Sequence, residues 1–410
     1  MTNREVYPFE IMAKPCGPLC NLNCRYCFYA YKRSRFDPSF NWKMSPDLLE
    51  IFIRDYIRSQ PVDYPVQFVW QGGEPALMGL DFFRRAVKLQ EKYKKNGQNI
   101  TNSFQTNATL IDAKWAEFFR EHHFLVGVSI DGPEEIHNRY RVDHTGSGSF
   151  DRVLAGVENL RKHHVDFNAL VCITDISVRD PLHLYDFLKT HFDFIQFIPV
   201  VERRDFKRKA PLLKNTKKWT PCTGSGYSDL VTEWSVTPQG FGTFLNTVFD
   251  SWIRHDVGRI FIQIFDYTLA NLMGYPAPLC VLSRTCGKGL VLEHNGDLYS
   301  CDHFVYPEYL LGNIRERPLA ELAGSPSQIS FGRDKWEKLP RQCRECEYLT
   351  LCFGGCPKNR LIHTEDGEER LNYLCEGYRS FFRHTSTAMR FMANELINHR
   401  PASNIMKTLG

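Results

Sequence analysis

Apolar positions along this chain switch between two periods. From residue 6 to about 200, short apolar runs at 8–13, 66–70, 102–106, 125–130, 167–174 and 194–199 read as strands. Between them, segments near 46–60, 80–95, 112–122, 150–163 and 181–190 repeat their apolar residues every three or four positions and read as amphipathic helices. Ser45-Pro46 supplies a cap residue and a proline at the first helical position. Regular alternation of strand and helix predicts an α/β fold with a parallel sheet and right-handed crossovers. Six units predict a partial (β/α)6 TIM-type barrel, smaller than the eight-unit form. Beyond about 240 the pattern changes. A helix is expected over 241–255, then a hairpin of 290–293 and 298–301 around Asn295-Gly296. A closing amphipathic helix over 376–397 is expected to bury Phe381, Phe382, Met389, Phe391 and Met392. The expected division is 1–235 for the barrel, 236–375 for a small cysteine-rich domain and 376–410 for a C-terminal helical segment.

Composition narrows the class. The 410 residues are 43% hydrophobic and 24% charged, with no apolar run long enough to span a bilayer, so no membrane association is expected. The N-terminus lacks the apolar core of a secretory signal. A net charge of +4 is slight and makes no case for nucleic acid. Within the expected barrel segment the stretch 202–226 is irregular, and its part 202–219 concentrates eight Lys or Arg, a solvated loop or a docking face for an acidic client. The 14 cysteines gather at 16–27, 280–301 and 343–375, with Cys172 and Cys222 apart. Without an export signal they point to metal or catalysis in a reducing, cytoplasmic compartment rather than to disulfides.

The polar signals follow strands, where α/β barrels carry their chemistry. Cys20, Cys24 and Cys27 follow the first strand. Spaced C-x3-C-x2-C, they can hold three irons of a four-iron cluster and leave the fourth open to bind something. A zinc loop is the alternative. Gln71-Gly72-Gly73-Glu74-Pro75 follows the second strand, Asn107 the third, and Ser129 to Pro133 close the fourth. Near the C-terminus, Cys280, Cys286, Cys301, Cys343, Cys346, Cys352, Cys356 and Cys375 suffice for two four-thiolate sites, as zinc or as iron–sulfur. Cys172 reads as a core residue, Cys222 as a loop thiol, and Cys16 as a bystander to the cluster loop.

The three-cysteine loop, with Tyr26 before Cys27 and Gly72-Gly73-Glu74-Pro75 downstream, resembles that of the radical S-adenosylmethionine (AdoMet) enzymes. The C-terminal array resembles the SPASM auxiliary-cluster domain. Over roughly residues 8–380 the chain resembles the anaerobic sulfatase-maturating enzymes. That resemblance implies three [4Fe–4S] clusters: one on Cys20, Cys24 and Cys27, one on Cys280, Cys286, Cys301 and Cys356, and one on Cys343, Cys346, Cys352 and Cys375. It implies AdoMet as co-substrate, held by Gly72, Gly73, Glu74, Ser129 and Arg141, and a substrate pocket at Tyr29, Gln71 and Asn107. The implied activity is oxidation of an active-site Cys or Ser of a sulfatase to Cα-formylglycine by 5′-deoxyadenosyl radical hydrogen abstraction. Implied partners are an unfolded or nascent sulfatase polypeptide and an electron donor such as flavodoxin or ferredoxin. Asp302 stands where the family places its base. Its neighbouring thiolates are expected to raise its pKa toward that of a useful base. Two rivals remain: another SPASM peptide maturase forming thioethers or crosslinks, and a zinc-ribbon binding protein.

Overall fold

The computed structural model describes residues 8–35, 42–204, 230–275 and 279–409. Most of the basic run and Cys222 lie outside the described residues. Ten strands form in chain order: β1 (Glu10–Lys14), β2 (Val66–Trp70), β3 (Ile100–Thr106), β4 (Phe124–Ser129), β5 (Asp166–Ile173), β6 (Phe194–Pro199), β7 (Phe261–Ile262), β8 (Gly289–Glu293), β9 (Asp297–Tyr299) and β10 (Leu310–Asn313). The described residues divide into two compact units. One takes its residues from Met1–Ser129, Asn138–Phe167 and Gly287–Gly332, the other from Ile130–His137, Asn168–Cys286 and Arg333–Gly410.

In the first unit the sheet runs β10-β9-β8-β1-β2-β3-β4. Strands β1 to β4 pair in parallel, as the strand–helix alternation requires. β8 also pairs parallel to β1, with Lys14 opposite Glu293, and the chain then turns back through antiparallel β9 and β10. The helix Pro46–Ser59 starts as expected, with Ser45 accepting from the Leu48 N–H at 3.4 Å. Its buried positions Leu48, Leu49, Phe52, Ile53, Tyr56 and Ile57 follow the helical period and press onto β2. There Phe52 meets Phe68 and Trp70 edge-on at 5.6 and 6.1 Å. Each such buried aromatic stabilises the unit by about 1.5–3 kcal/mol.

In the second unit β5, β6 and β7 pair in parallel. The helices Pro238–His255 and Cys375–Ile397 cross at two glycines. A Cβ on Gly242 would meet Gly377 Cα at 3.0 Å, and one on Gly377 would meet the Pro238 carbonyl at 2.4 Å. Phe249, Trp252, Phe265 and Phe381 fill the space beside that crossing. Phe381, Phe382, Met389 and Met392 are buried as expected, whereas Phe391 is half-buried. Cys172 is also half-buried rather than core, because alternation along β5 sets it opposite the buried Val171 and Ile173. The short helices Glu134–Tyr140 and Pro326–Glu337 were outside the pattern-based expectation. Among the described residues no helix is long and apolar enough to cross a membrane.

One carboxylate of this unit gives a pH-dependent stability. Asp266, in the first turn of the helix Gln263–Leu272, is pushed up to about 7 by burial. Its folded pKa lies above the unfolded one, so its contribution is complete below the unfolded value near 3.8 and falls as pH rises to about 7. Asp266→Asn removes that slope of up to about 1.4 kcal/mol per pH unit. Thermal unfolding should show the variant gaining on the native protein between pH 5 and 7, with no further gain above. A constant difference across that range contradicts the account.

Candidate iron–sulfur and AdoMet site

The loop that follows β1 carries Cys20, Cys24 and Cys27 and is held by main-chain bonds. Gly73 N–H donates to Gly17 O and Glu74 N–H to Leu19 O, both at 2.8 Å. A Cβ on Gly73 would sit 1.9 Å from Leu19 O, and Gly72 has a φ of +143°. The glycine pair is therefore what lets the loops after β1 and β2 run against each other. On the other side Asn23 and Arg25 N–H groups donate to Val142 and Tyr140 carbonyls at 2.7 and 2.9 Å. Glu74 is fully buried and braces the end of β3: it accepts from Ala76 N at 3.0 Å, Thr106 Oγ1 at 2.8 Å and Asn107 N at 2.7 Å. Burial pushes its carboxyl up to about 7.

Donors reach the cysteine sulfurs themselves. Leu22 N–H lies 3.4 Å from Cys20 Sγ, Ala30 N–H 3.4 Å from Cys27 Sγ, and Asn107 Nδ2 3.7 Å from Cys20 Sγ. Asn107 also donates to Asn21 Oδ1 at 2.9 Å, so in this structure it serves the cluster loop. Arg141 is buried with its guanidinium 5.5 Å from the Tyr26 ring, whereas Arg139 is exposed. Ser129 is buried at the end of β4.

A charged cluster lies at the end of β1. Lys14 is 1% exposed, forms an ion pair with Asp302, and sets its ammonium 3.6 Å from the centre of the Tyr29 ring. The Tyr29 hydroxyl donates to Glu293 Oε2 at 2.7 Å, and burial followed by the Glu293 charge holds that phenol well above its ordinary pKa. Gln71 Nε2 donates to Gln105 Oε1 at 2.8 Å. Sequence reasoning missed Lys14 and Glu293. Charged residues closing otherwise apolar strands were the available signal. The expected direction of the Asp302 shift is corrected here. Burial pushes its carboxyl up, but Lys14, then His303 and Lys32, pull harder, and the net lies below the ordinary carboxylate value. The sequence-based expectation counted neighbouring thiolates and not the buried ammonium.

The second unit holds seven of the eight C-terminal cysteines, all but Cys301. Cys343, Cys346, Cys352 and Cys375 line one cavity of about 310 Å³. Cys356 and Cys280 both bear electrostatically on Cys286. Cys301 ends the β8–β9 hairpin in the first unit, beside Asp302. Burial pushes Cys20, Cys286 and Cys375 up to about 12, so ligation must displace protons. No three His, Cys, Asp or Glu side chains among the described residues converge closely enough for a single metal ion. None of the described cysteines is in a disulfide. Three thiols on one loop with N–H groups at two of the sulfurs, and four thiols lining one cavity, fit iron–sulfur ligation.

Fold and site together define a radical AdoMet enzyme with an auxiliary iron–sulfur domain. The radical SAM superfamily matches residues 15–188, and the SPASM iron–sulfur cluster-binding domain matches residues 280–347. The serine-type anaerobic sulfatase-maturating enzyme of Bacteroides thetaiotaomicron is 45% identical over 98% of this chain and 95% of its own. The cysteine-type enzyme of Clostridium perfringens strain 13 is 33% identical over 95% of this chain and 99% of its own. The solved structure of native anSMEcpe with bound AdoMet and Cp18Cys peptide superposes with a TM-score of 0.81 at 33% identity, over 95% of this chain and all of that one. The chain belongs to the anaerobic sulfatase-maturating enzymes, and its two domains are those that carry [4Fe–4S] clusters.

Proposed function

We propose that this enzyme oxidises a Ser or Cys side chain of an unfolded sulfatase polypeptide to Cα-formylglycine. The electron that remains after hydrogen abstraction leaves through cysteine-held auxiliary sites, and a flavodoxin- or ferredoxin-like donor primes the reaction in a reducing, cytoplasmic compartment. The observation that carries the reading is the Lys14–Asp302 pair against Tyr29, two residues beyond Cys27, within the same unit as the three-cysteine loop. When bound, AdoMet and the first cluster supply the hydrogen abstraction, chemistry that belongs to the cofactor. The chain supplies the rest. Cys20, Cys24 and Cys27 would hold the cluster, and Arg141 with Ser129 the AdoMet carboxylate, for which a guanidinium fork is suited. Gln71 and Tyr29 would position the substrate side chain. Asp302 takes the substrate proton while Lys14 keeps it ionised and oriented.

The substrate loses one hydrogen atom, one proton and one electron. A Ser side chain then is the aldehyde directly, while a Cys side chain also exchanges sulfur for oxygen by hydrolysis. Anaerobic incubation with AdoMet, dithionite and sulfatase-motif peptides tests the reading by mass. A Ser peptide should lose about 2 Da and a Cys peptide about 18 Da, the formylglycine differences for a reaction whose oxidant is the cofactor. The 45% identical relative is serine-type, which makes the Ser peptide the first to try. A thioether or crosslink product in place of either loss would favour the other SPASM maturases.

A further inference from the structure

Two buried cations stand among the cysteines of the second unit, and the reaction above does not use them. Lys335 is fully buried, and its ammonium donates to the carbonyls of Cys280 at 2.9 Å, Val281 at 3.1 Å and Ser283. Those carbonyls belong to the turn that bears Cys280 and leads to Cys286. Arg360 is 8% exposed and donates to Gly354 O from Nε and to Phe353 O from Nη2, each at 3.2 Å. That turn separates Cys352 from Cys356 and takes three successive left-handed residues, Phe353, Gly354 and Gly355, at φ of 46°, 71° and 61°. The two cations repel each other, and cysteines are the strongest attractive partners of both. Cys286, Cys280 and Cys356 bear on Lys335, while Cys343, Cys356, Cys352 and Cys286 bear on Arg360. A buried cation without a counter-charge is unfavourable. Both become compensated once the cysteines are thiolates.

We propose that Lys335 and Arg360 are positioning residues that act as built-in counter-charges for the two auxiliary sites and raise their tendency to accept the substrate electron. Accepting one electron makes a four-thiolate site one unit more negative, and net charge near the sulfurs is among the protein's means of setting cluster potential. In the same step the substrate carbon is oxidised by one electron and its proton goes to Asp302. Lys335 stands against the turn that bears Cys280 and acts on Cys286, Cys280 and Cys356, and it reaches Cys352 of the other set as well. Arg360 stands among members of both sets and serves both. The inference rests on the ligand assignment in the proposed function.

The test uses the full chain with Cys20, Cys24 and Cys27 replaced by Ala, reconstituted anaerobically, so that only auxiliary clusters contribute. Iron content and an electron-spin-resonance redox titration are read for Lys335→Met, Lys335→Gln and Arg360→Met, with Lys335→Arg and Arg360→Lys as charge-keeping controls. Loss of the Lys335 charge should disfavour reduction about tenfold or more, 59 mV for one electron, at the cluster on Cys280, Cys286 and Cys356, with a smaller shift at the other. Loss of the Arg360 charge should shift both, and the charge-keeping variants should stay at the parent potentials. Neutral variants with full iron and unchanged potentials overturn the proposal. Iron lost in the neutral variants and regained in the charge-keeping ones supports it. Iron lost in both kinds makes the residues mere braces and overturns it. A parent that binds zinc, or no iron at all, overturns the ligand assignment beneath it instead.

Discussion

A variant with Cys20, Cys24 and Cys27 all replaced by alanine is expected to stop cleaving AdoMet and to keep about two-thirds of its iron. Eleven cysteines are assigned as ligands in sets of three, four and four, so three four-iron clusters hold about 12 Fe and the variant about 8. The sets share no residue, and the four thiols around the cavity of about 310 Å³ lie in the other unit from the loop. The loop should keep its path without its thiols, since Gly73, Glu74, Asn23 and Arg25 hold it by main-chain bonds of 2.7–2.9 Å. Chromatography of 5′-deoxyadenosine and an iron assay after anaerobic reconstitution decide the matter. Persistent deoxyadenosine would remove the cluster from this loop. Iron falling to background would show that the auxiliary sites depend on it.

Asp302→Asn should still cleave AdoMet but make formylglycine at least about a hundredfold more slowly, the usual scale for removing a general base. The amide keeps the shape of the carboxylate and cannot take the proton. It also leaves Lys14, only 1% exposed, without its ion-pair partner. Breaking a buried pair from one side costs about 3–5 kcal/mol, so part of any loss could come from misfolding. The double variant Lys14→Met with Asp302→Asn removes both charges and separates the two causes. It should regain thermal stability and iron while remaining unable to make formylglycine. Peptide oxidation near the native rate in a fully iron-loaded single variant would refute the base assignment. Recovery of activity in the double variant would assign the pair a structural role.

The sequence by itself determined most of the barrel elements and the donor atoms. Strands β2 and β6 lie where the apolar runs set them, and the helix Pro46–Ser59 begins at its proline, because period and caps are local properties. The cysteine spacings fixed which thiols share a loop for the same reason. Only the tertiary structure decided what those residues face. Pairing β8 beside β1 brings Glu293 opposite Lys14 across some 280 positions of chain, and no spacing rule reaches that far. That pairing belongs to a unit in which Lys14 meets Asp302, and the ammonium reversed the direction in which the Asp302 carboxyl shifts. Glu74 and Asn107 read as ligand contacts in sequence, yet their side chains brace the strand end and the cluster loop. Gly73 is required by a carbonyl that a Cβ would strike at 1.9 Å. Charge, burial and close approach are sums over neighbours in space, and those neighbours exist only once the chain has folded.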